Sequence, residues 1–176
     1  MSTLHIRPAL PADVPAIVRI VEAAYRGTDT AAGWTTEEGL VRNARTHPEE
    51  VQALIADEDS VVLLAEQDGA PIGCAAVHPE IDGERPEFGL FAVDPARQAG
   101  GVGKALLESG ADWARRRGAR ELVIRVLQSR PELVAWYQRR GFRPTGEVVP
   151  FAGRAEDLVV PELGMELLVL ELSGTR

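Results

Sequence analysis

The chain has 176 residues, 45% hydrophobic and 26% charged, with 27 acidic against 19 basic side chains and a formal net charge of −8. That length can bury roughly two thirds of the surface an unfolded chain exposes, so one domain over 1–176 is expected, and the acidic balance argues against nucleic acid, whose phosphates need a basic face. A lone cysteine, Cys74, excludes an internal disulfide, and neither a signal-type apolar segment nor a run near the ~20 residues that span a bilayer is present, so a cytoplasmic protein with no membrane partner is expected.

"TLHIRPA" reads as a first strand. In "PADVPAIVRIVEAAYRG", Val14, Ile17, Val18, Val21 and Ala24 recur at helical spacing, with Asp13 as N-cap and Gly27 as the stop. "TTEE" has the form of a capping box, Thr35 to Glu38, and predicts a second helix to about Arg45; "HPEEVQALIAD" predicts a third. The period then changes. "SVVLLAEQDGAPIGCAAVHP" holds two β-rich runs around a turn at Asp68-Gly69, and "EFGLFAV" is a further strand stopped by Asp94-Pro95. A helix follows from Val102, closed by "ARRRG" with Gly118 beyond its end. "RELVIRVLQ" is a strand, and "SRPELVAWYQRRG" a helix with a Ser129–Glu132 capping box. "FRPTGEV" and "MELLVLEL" are closing strands. This order predicts an α+β fold, a three-layer arrangement of a mostly antiparallel mixed sheet of about seven strands with helices on both faces.

"LFAVDPARQAGGVGKALL" concentrates Gly100, Gly101 and Gly103 at one strand-to-helix corner. A helix N-terminus presents free N–H groups and the positive end of the helix dipole, and glycine lets an anion approach the main chain. A tight turn alone would also use glycine. The dinucleotide pattern fails, because its third glycine is replaced by Leu106 and the corner follows a hairpin. The P-loop pattern fails because Ala105 follows Gly103-Lys104.

The corner resembles the acyl-CoA-binding motif of the GNAT acetyltransferase superfamily: Gln98, Gly101 and Gly103 fill its places, and Val93 ends the strand before it. "WYQRRGF" resembles a second element of that family through Tyr137, Gly141 and Phe142. The resemblance implies acetyl-CoA as co-substrate, no metal, and direct transfer of an acetyl group to an amine. It implies that main-chain amides around Ala99, Gly100, Gly101, Val102, Gly103 and Lys104 hold a pyrophosphate, and that Phe91, Ala92 and Val93 pair with the pantetheine arm. Arg97 and Lys104 are nearby cations with an ordinary solvated reading beside the electrostatic one.

By the same resemblance Tyr137 is the general acid toward the departing thiolate; its other reading is a structural tyrosine beside Trp136. Glu87 sits where a base would act, directly or through water, and strand alternation puts it on one face with Val93. Its other reading is a solvated edge residue. His78 is an alternative base, and Cys74 reads as a small core residue. Arg130 stands where many members carry asparagine, which implies either a different hold on the thiol end of the arm or a water in the amide's place. Acceptor contacts are expected from the irregular segments, which carry Tyr25, Trp34 and Phe151 with Asp29, Glu37, Glu38, Glu147, Glu156 and Asp157. These suit a small amine or amino-acid-like acceptor. A homodimer is compatible with the reading. The rival readings are a non-catalytic acyl-CoA-binding domain and a protein or peptide N-acetyltransferase.

Overall fold

The computed structural model describes residues 2–26, 46–80, 83–151 and 164–172, without the side chains of Gln98 and Ala99. The helix expected between Thr35 and Arg45 lies outside the described residues. The chain runs β1 (Leu4–Pro8), α1 (Val14–Arg26), α2 (Pro48–Ala56), β2 (Val61–Gln67), β3 (Ala70–Pro79), β4 (Pro86–Val93), α3 (Val102–Arg116), β5 (Glu121–Leu127), α4 (Pro131–Gln138), β6 (Arg143–Pro150) and β7 (Gly164–Glu171). The strands form one seven-stranded sheet in the order β1-β2-β3-β4-β5-β7-β6. β4 and β5 form the parallel neighbours, and they share a single register pair, Glu87 with Val123. Beyond that pair no ladder joins them, so the sheet opens at its centre.

Each face of the sheet has its own core. α1 turns Val14, Ile17, Val21 and Ala24 onto Val62, Leu64, Cys74, Ala76 and Ala92, with Val51 of α2 beside them. α3 turns Val102, Leu106, Leu107 and Ala111 onto Leu63, Ala75, Val77, Phe88, Phe91 and Val93 of the opposite face, and α4 adds Leu133 and Tyr137. A fully buried leucine such as Leu106 contributes about 1.5–3 kcal/mol relative to an exposed one. The helix α3 comes close enough that a Cβ at Gly110 would meet Phe88 Cε2 at 3.0 Å.

Three local expectations need correction. Asp13 is not the N-cap of α1. It ends a short 3-10 turn, Pro11–Asp13, where its carboxylate accepts from the Leu10 N–H at 2.7 Å and holds Arg7 at 2.8 Å. The Ser129–Glu132 box does not form either. Pro131 restricts the residue before it, Arg130 becomes the N-cap at φ −119°, and Glu132 pairs with the Arg130 Nε at 2.5 Å.

The third correction concerns β4. Cys74 pairs with Ala92 and Ala76 with Gly89, so Ala75 alone faces both Leu90 and Phe91. The extra residue is absorbed at Leu90, which takes φ +47°. This β-bulge resets the alternation. Phe88, Phe91 and Val93 face α3, while Glu87 lies on the opposite face with its cross-strand partner His78. Glu87 and Val93 therefore do not share a face.

Candidate active site

The bulge lies beside the opening between β4 and β5, and the glycine corner follows directly. Asp94 accepts from the Ala96 N–H at 3.0 Å and starts a 3-10 turn, Pro95–Gly100, which holds Gln98 and Ala99. Gly101 then takes φ +75° and caps α3 without a side-chain partner. The first bond of the helix runs from the Ala105 N–H to the Gly101 carbonyl at 3.1 Å. The amides of Val102, Gly103 and Lys104 thus precede the ladder, free for an anion.

The three glycines have separate causes. Gly101 supplies a left-handed conformation, and a Cβ built there would meet open space. Gly103 supplies close approach to the protein itself, since its Cβ would lie 3.0 Å from Phe91 Cζ and 3.6 Å from Trp136 Cζ2. At Gly100 the nearest neighbour of such a Cβ is Val102 Cγ2, 3.9 Å away. The Val102 side chain is buried in the core, so only its main chain is available to a ligand. Arg97 is exposed and bonds to Gln67, and Lys104 pairs with Glu108 at 3.7 Å. The sequence reading missed Arg140, whose guanidinium stacks 3.5 Å from the Trp136 ring centre beside this corner. A basic residue following an aromatic at helical spacing was the available signal.

At the opening itself a cavity of about 50 Å³ is lined by Tyr25, Gly89, Leu90, Phe91, Arg125, Arg130 and Tyr137, with apolar residues of β5 and α4 and Met165. α4 delivers Tyr137 into it. The ring packs edge-on against Trp136 at 4.9 Å and Phe142 at 5.4 Å. The Tyr137 ring is part of the core, as a structural tyrosine would be, and it also forms part of the cavity wall. Burial, with the neighbouring Tyr25 adding to it, raises the phenol well above its ordinary pKa, so it stays protonated.

Tyr25 reaches the cavity from α1 and donates its hydroxyl to the Phe91 carbonyl at 2.5 Å. Cys74 donates its thiol to the adjacent Leu90 carbonyl at 3.4 Å. Two side chains of the α1 face thus satisfy consecutive carbonyls of the bulge, which a strand pairing would otherwise take. Phe151 is half-buried just past β6 and is not among the lining residues. Trp34 lies outside the described residues.

Glu87 is 9% exposed and lies one layer behind the cavity wall. Its Oε1 stands 3.5 Å from the Nε of Arg125, which does line the cavity. Neither Glu87 Oε2 nor Arg125 Nε has a hydrogen-bond partner among the described residues. Burial raises the Glu87 carboxyl above its ordinary pKa, opposed by Arg125 and His78. His78 bonds through Nδ1 to the Pro79 carbonyl at 2.8 Å and does not line the cavity. Arg125 was also missed in the sequence. Its signal was a single charge inside the apolar run "LVIRVL". Arg130 is 6% exposed in the same wall. A protonated phenol, a buried carboxyl, two guanidinium groups and an anion-ready helix terminus therefore meet around one opening, a set that could serve group transfer between an anionic donor and a small acceptor.

The model of the acetyltransferase (GNAT) family matches residues 21–142. An amino-acid acetyltransferase of Pseudomonas putida is 36% identical over 107 residues, which is 61% of this chain and 22% of that protein. The match thus spans only about a fifth of that relative's length. Among solved structures, yncA of Salmonella typhimurium, solved with its cofactor acetyl-CoA, superposes with a TM-score of 0.73 at 23% identity, covering 99% of this chain and 97% of that one. The ribosomal-protein-S18-alanine N-acetyltransferase of Escherichia coli superposes with a TM-score of 0.72 at 20% identity and the same coverage. At these identities the two structures establish a shared fold.

Proposed function

The chain belongs to the acetyltransferase (GNAT) family, and from that premise we propose that it is an N-acetyltransferase, moving an acetyl group from acetyl-CoA directly to the primary amine of a small or amino-acid-like acceptor. The observation that carries this reading is the anion-ready N-terminus of α3 opening beside the cavity that Tyr137 lines. Open space at the Gly101 Cβ position and the unladdered amides of Val102, Gly103 and Lys104 fit a pyrophosphate. The single domain would hold the donor there, with the bulged main chain of β4, from Phe91 to Val93, beside the pantetheine arm.

In the transfer, the acceptor nitrogen forms a C–N bond to the acetyl carbon and the C–S bond breaks. Tyr137 gives its phenolic proton to the departing sulfur, a role that requires the protonated phenol its burial favours. Glu87 takes the proton lost by the amine. Because it lies behind the wall, the proton reaches it through a water beside Arg125. The N–H groups that precede the α3 ladder offset the donor's phosphate charge.

A thermal melt with acetyl-CoA, CoA, NAD and ATP tests the reading. A ligand bound only by the folded state at 100 times its Kd adds about 2.7 kcal/mol. Stabilisation by acetyl-CoA and CoA but not NAD, with CoA release on adding amines, is expected. Stabilisation without any amine-dependent release would favour a non-catalytic acyl-CoA-binding domain, and no stabilisation would remove the donor from the proposal.

A further inference from the structure

We infer that Arg125 is the residue that selects the acceptor, by binding a free carboxylate next to the amine, so that the acceptor is an α-amino acid rather than a simple amine. The inference rests on the acetyltransferase reading above and specifies its substrate.

The charges of the cavity carry it. The protein is acidic, at −8 overall, yet among the described residues the charged side chains lining this cavity, Arg125 and Arg130, are both arginines. The other described lining residues are tyrosines, glycine and apolar side chains. A guanidinium set in such a wall asks for a planar anion, because its fork matches a carboxylate with two parallel N–H···O bonds. The donor's phosphates do not meet that need, since their site is the N-terminus of α3.

Arg125 is also held without being used up. Its side chain is 13% exposed, and its contact with Glu87 at 3.5 Å is longer than the 2.7–2.9 Å usual for a charged hydrogen bond. Its Nε and the Glu87 Oε2 are both buried without a hydrogen-bond partner among the described residues. Buried unsatisfied polar atoms are rare and call for an explanation. Of the two groups only Arg125 lines the cavity, so a ligand's carboxylate meets the guanidinium, while Glu87 behind it is reached through water. The amine and carboxylate of an α-amino acid are separated by one carbon. A carboxylate held on Arg125 therefore sets the amine one carbon away, on the side where a water leads to Glu87.

The test uses the full chain with acetyl-CoA and a set of amino acids, each beside its carboxamide and its decarboxylated amine. Acetylated product is measured for all three. The amino acid is expected to exceed both partners in kcat/KM by at least about tenfold, the scale of one charge-assisted hydrogen bond. Arg125→Gln is expected to shrink that preference at least about tenfold, and Arg125→Lys to restore part of it without the two-point geometry. Carboxamide or amine used as well as the amino acid would overturn the inference, as would an unchanged preference in Arg125→Gln. So would binding of acetyl-CoA with no amino acid acetylated. The comparison in the unaltered protein tests the carboxylate preference even if a variant does not fold, and Arg125→Lys, which keeps the charge, then assigns it to Arg125 if the preference falls. Absence of both acetyl-CoA stabilisation and acetylation is a separate result, which removes the acetyltransferase reading itself.

Discussion

The two sides of the opening between β4 and β5 are made of different material. Toward α3 the site is main chain: amides of the first turn, a left-handed Gly101, and glycine contacts against Phe91. Toward α1 it is side chain: Tyr25 on a bulge carbonyl, Glu87 behind Arg125, and Arg130 in the wall. A main-chain site depends on conformation, so it leaves a local signature of glycines at fixed offsets. A side-chain site depends on which face each residue takes, and one bulge can change that. The first kind suits the part of a reaction common to many substrates. The second suits the part that differs among them.

The comparison can be broken most severely at Gly101. Gly101→Glu combines a left-handed φ that a side chain resists with a carboxylate placed where the phosphates would lie. Complete loss of thermal stabilisation by acetyl-CoA is expected, in a variant that still shows a cooperative melt. A folded variant that binds normally would show that the main-chain side is not the donor site.

On the other side, Glu87→Gln should lower kcat/KM by at least about 100-fold, within the range of general base catalysis. The sign of its pH dependence follows from burial. The base must be ionised, and its pKa is raised, so activity falls as pH falls through a value above the ordinary carboxylate range. Of the charged neighbours, Arg125 and His78 oppose that rise and Glu80 adds to it. An acid limb at the ordinary position, or one that persists in Glu87→Gln, would remove Glu87 from the role.

Tyr137→Phe sharpens the division between binding and chemistry. Its kcat should fall at least about tenfold while acetyl-CoA affinity barely changes, the pattern of an interaction made only in the transition state. The smallest effect is expected at Tyr25. Tyr25→Phe leaves the buried Phe91 carbonyl without its 2.5 Å donor and should cost about 1–3 kcal/mol of stability. A melt unchanged within error would mean that the bulge does not need this clamp.

Element order was legible because hydrophobic period and turn chemistry are local. The turn at Asp68-Gly69, both with positive φ, and the helix end at Gly118 fall where the residues suggest. So does the glycine corner. Asp13 and Ser129 were misread as caps because proline geometry and longer-range partners, Arg7 and Arg130, decide those ends. The side-chain half of the opening was the least legible. Alternation assigns Glu87 to the face of Val93, and only the positive φ of Leu90 reverses it. Nothing in "EFGLFAV" announces that φ, because leucine seldom adopts it and tertiary bonds to Cys74 and Tyr25 support it. Arg125 escaped for a related reason, since its meaning lies in what stands 3.5 Å away on another strand.

The cysteine that supports the bulge has a practical consequence. Cys74 is the chain's single thiol, it is 0% exposed, and burial pushes its pKa up to about 12. At neutral pH it offers almost no thiolate to an electrophile. A thiol-reactive dye mixed with this protein therefore finds a blank background, and a turnover measured as liberated CoA sulfhydryl reads the product alone, with no mutation needed to silence the enzyme.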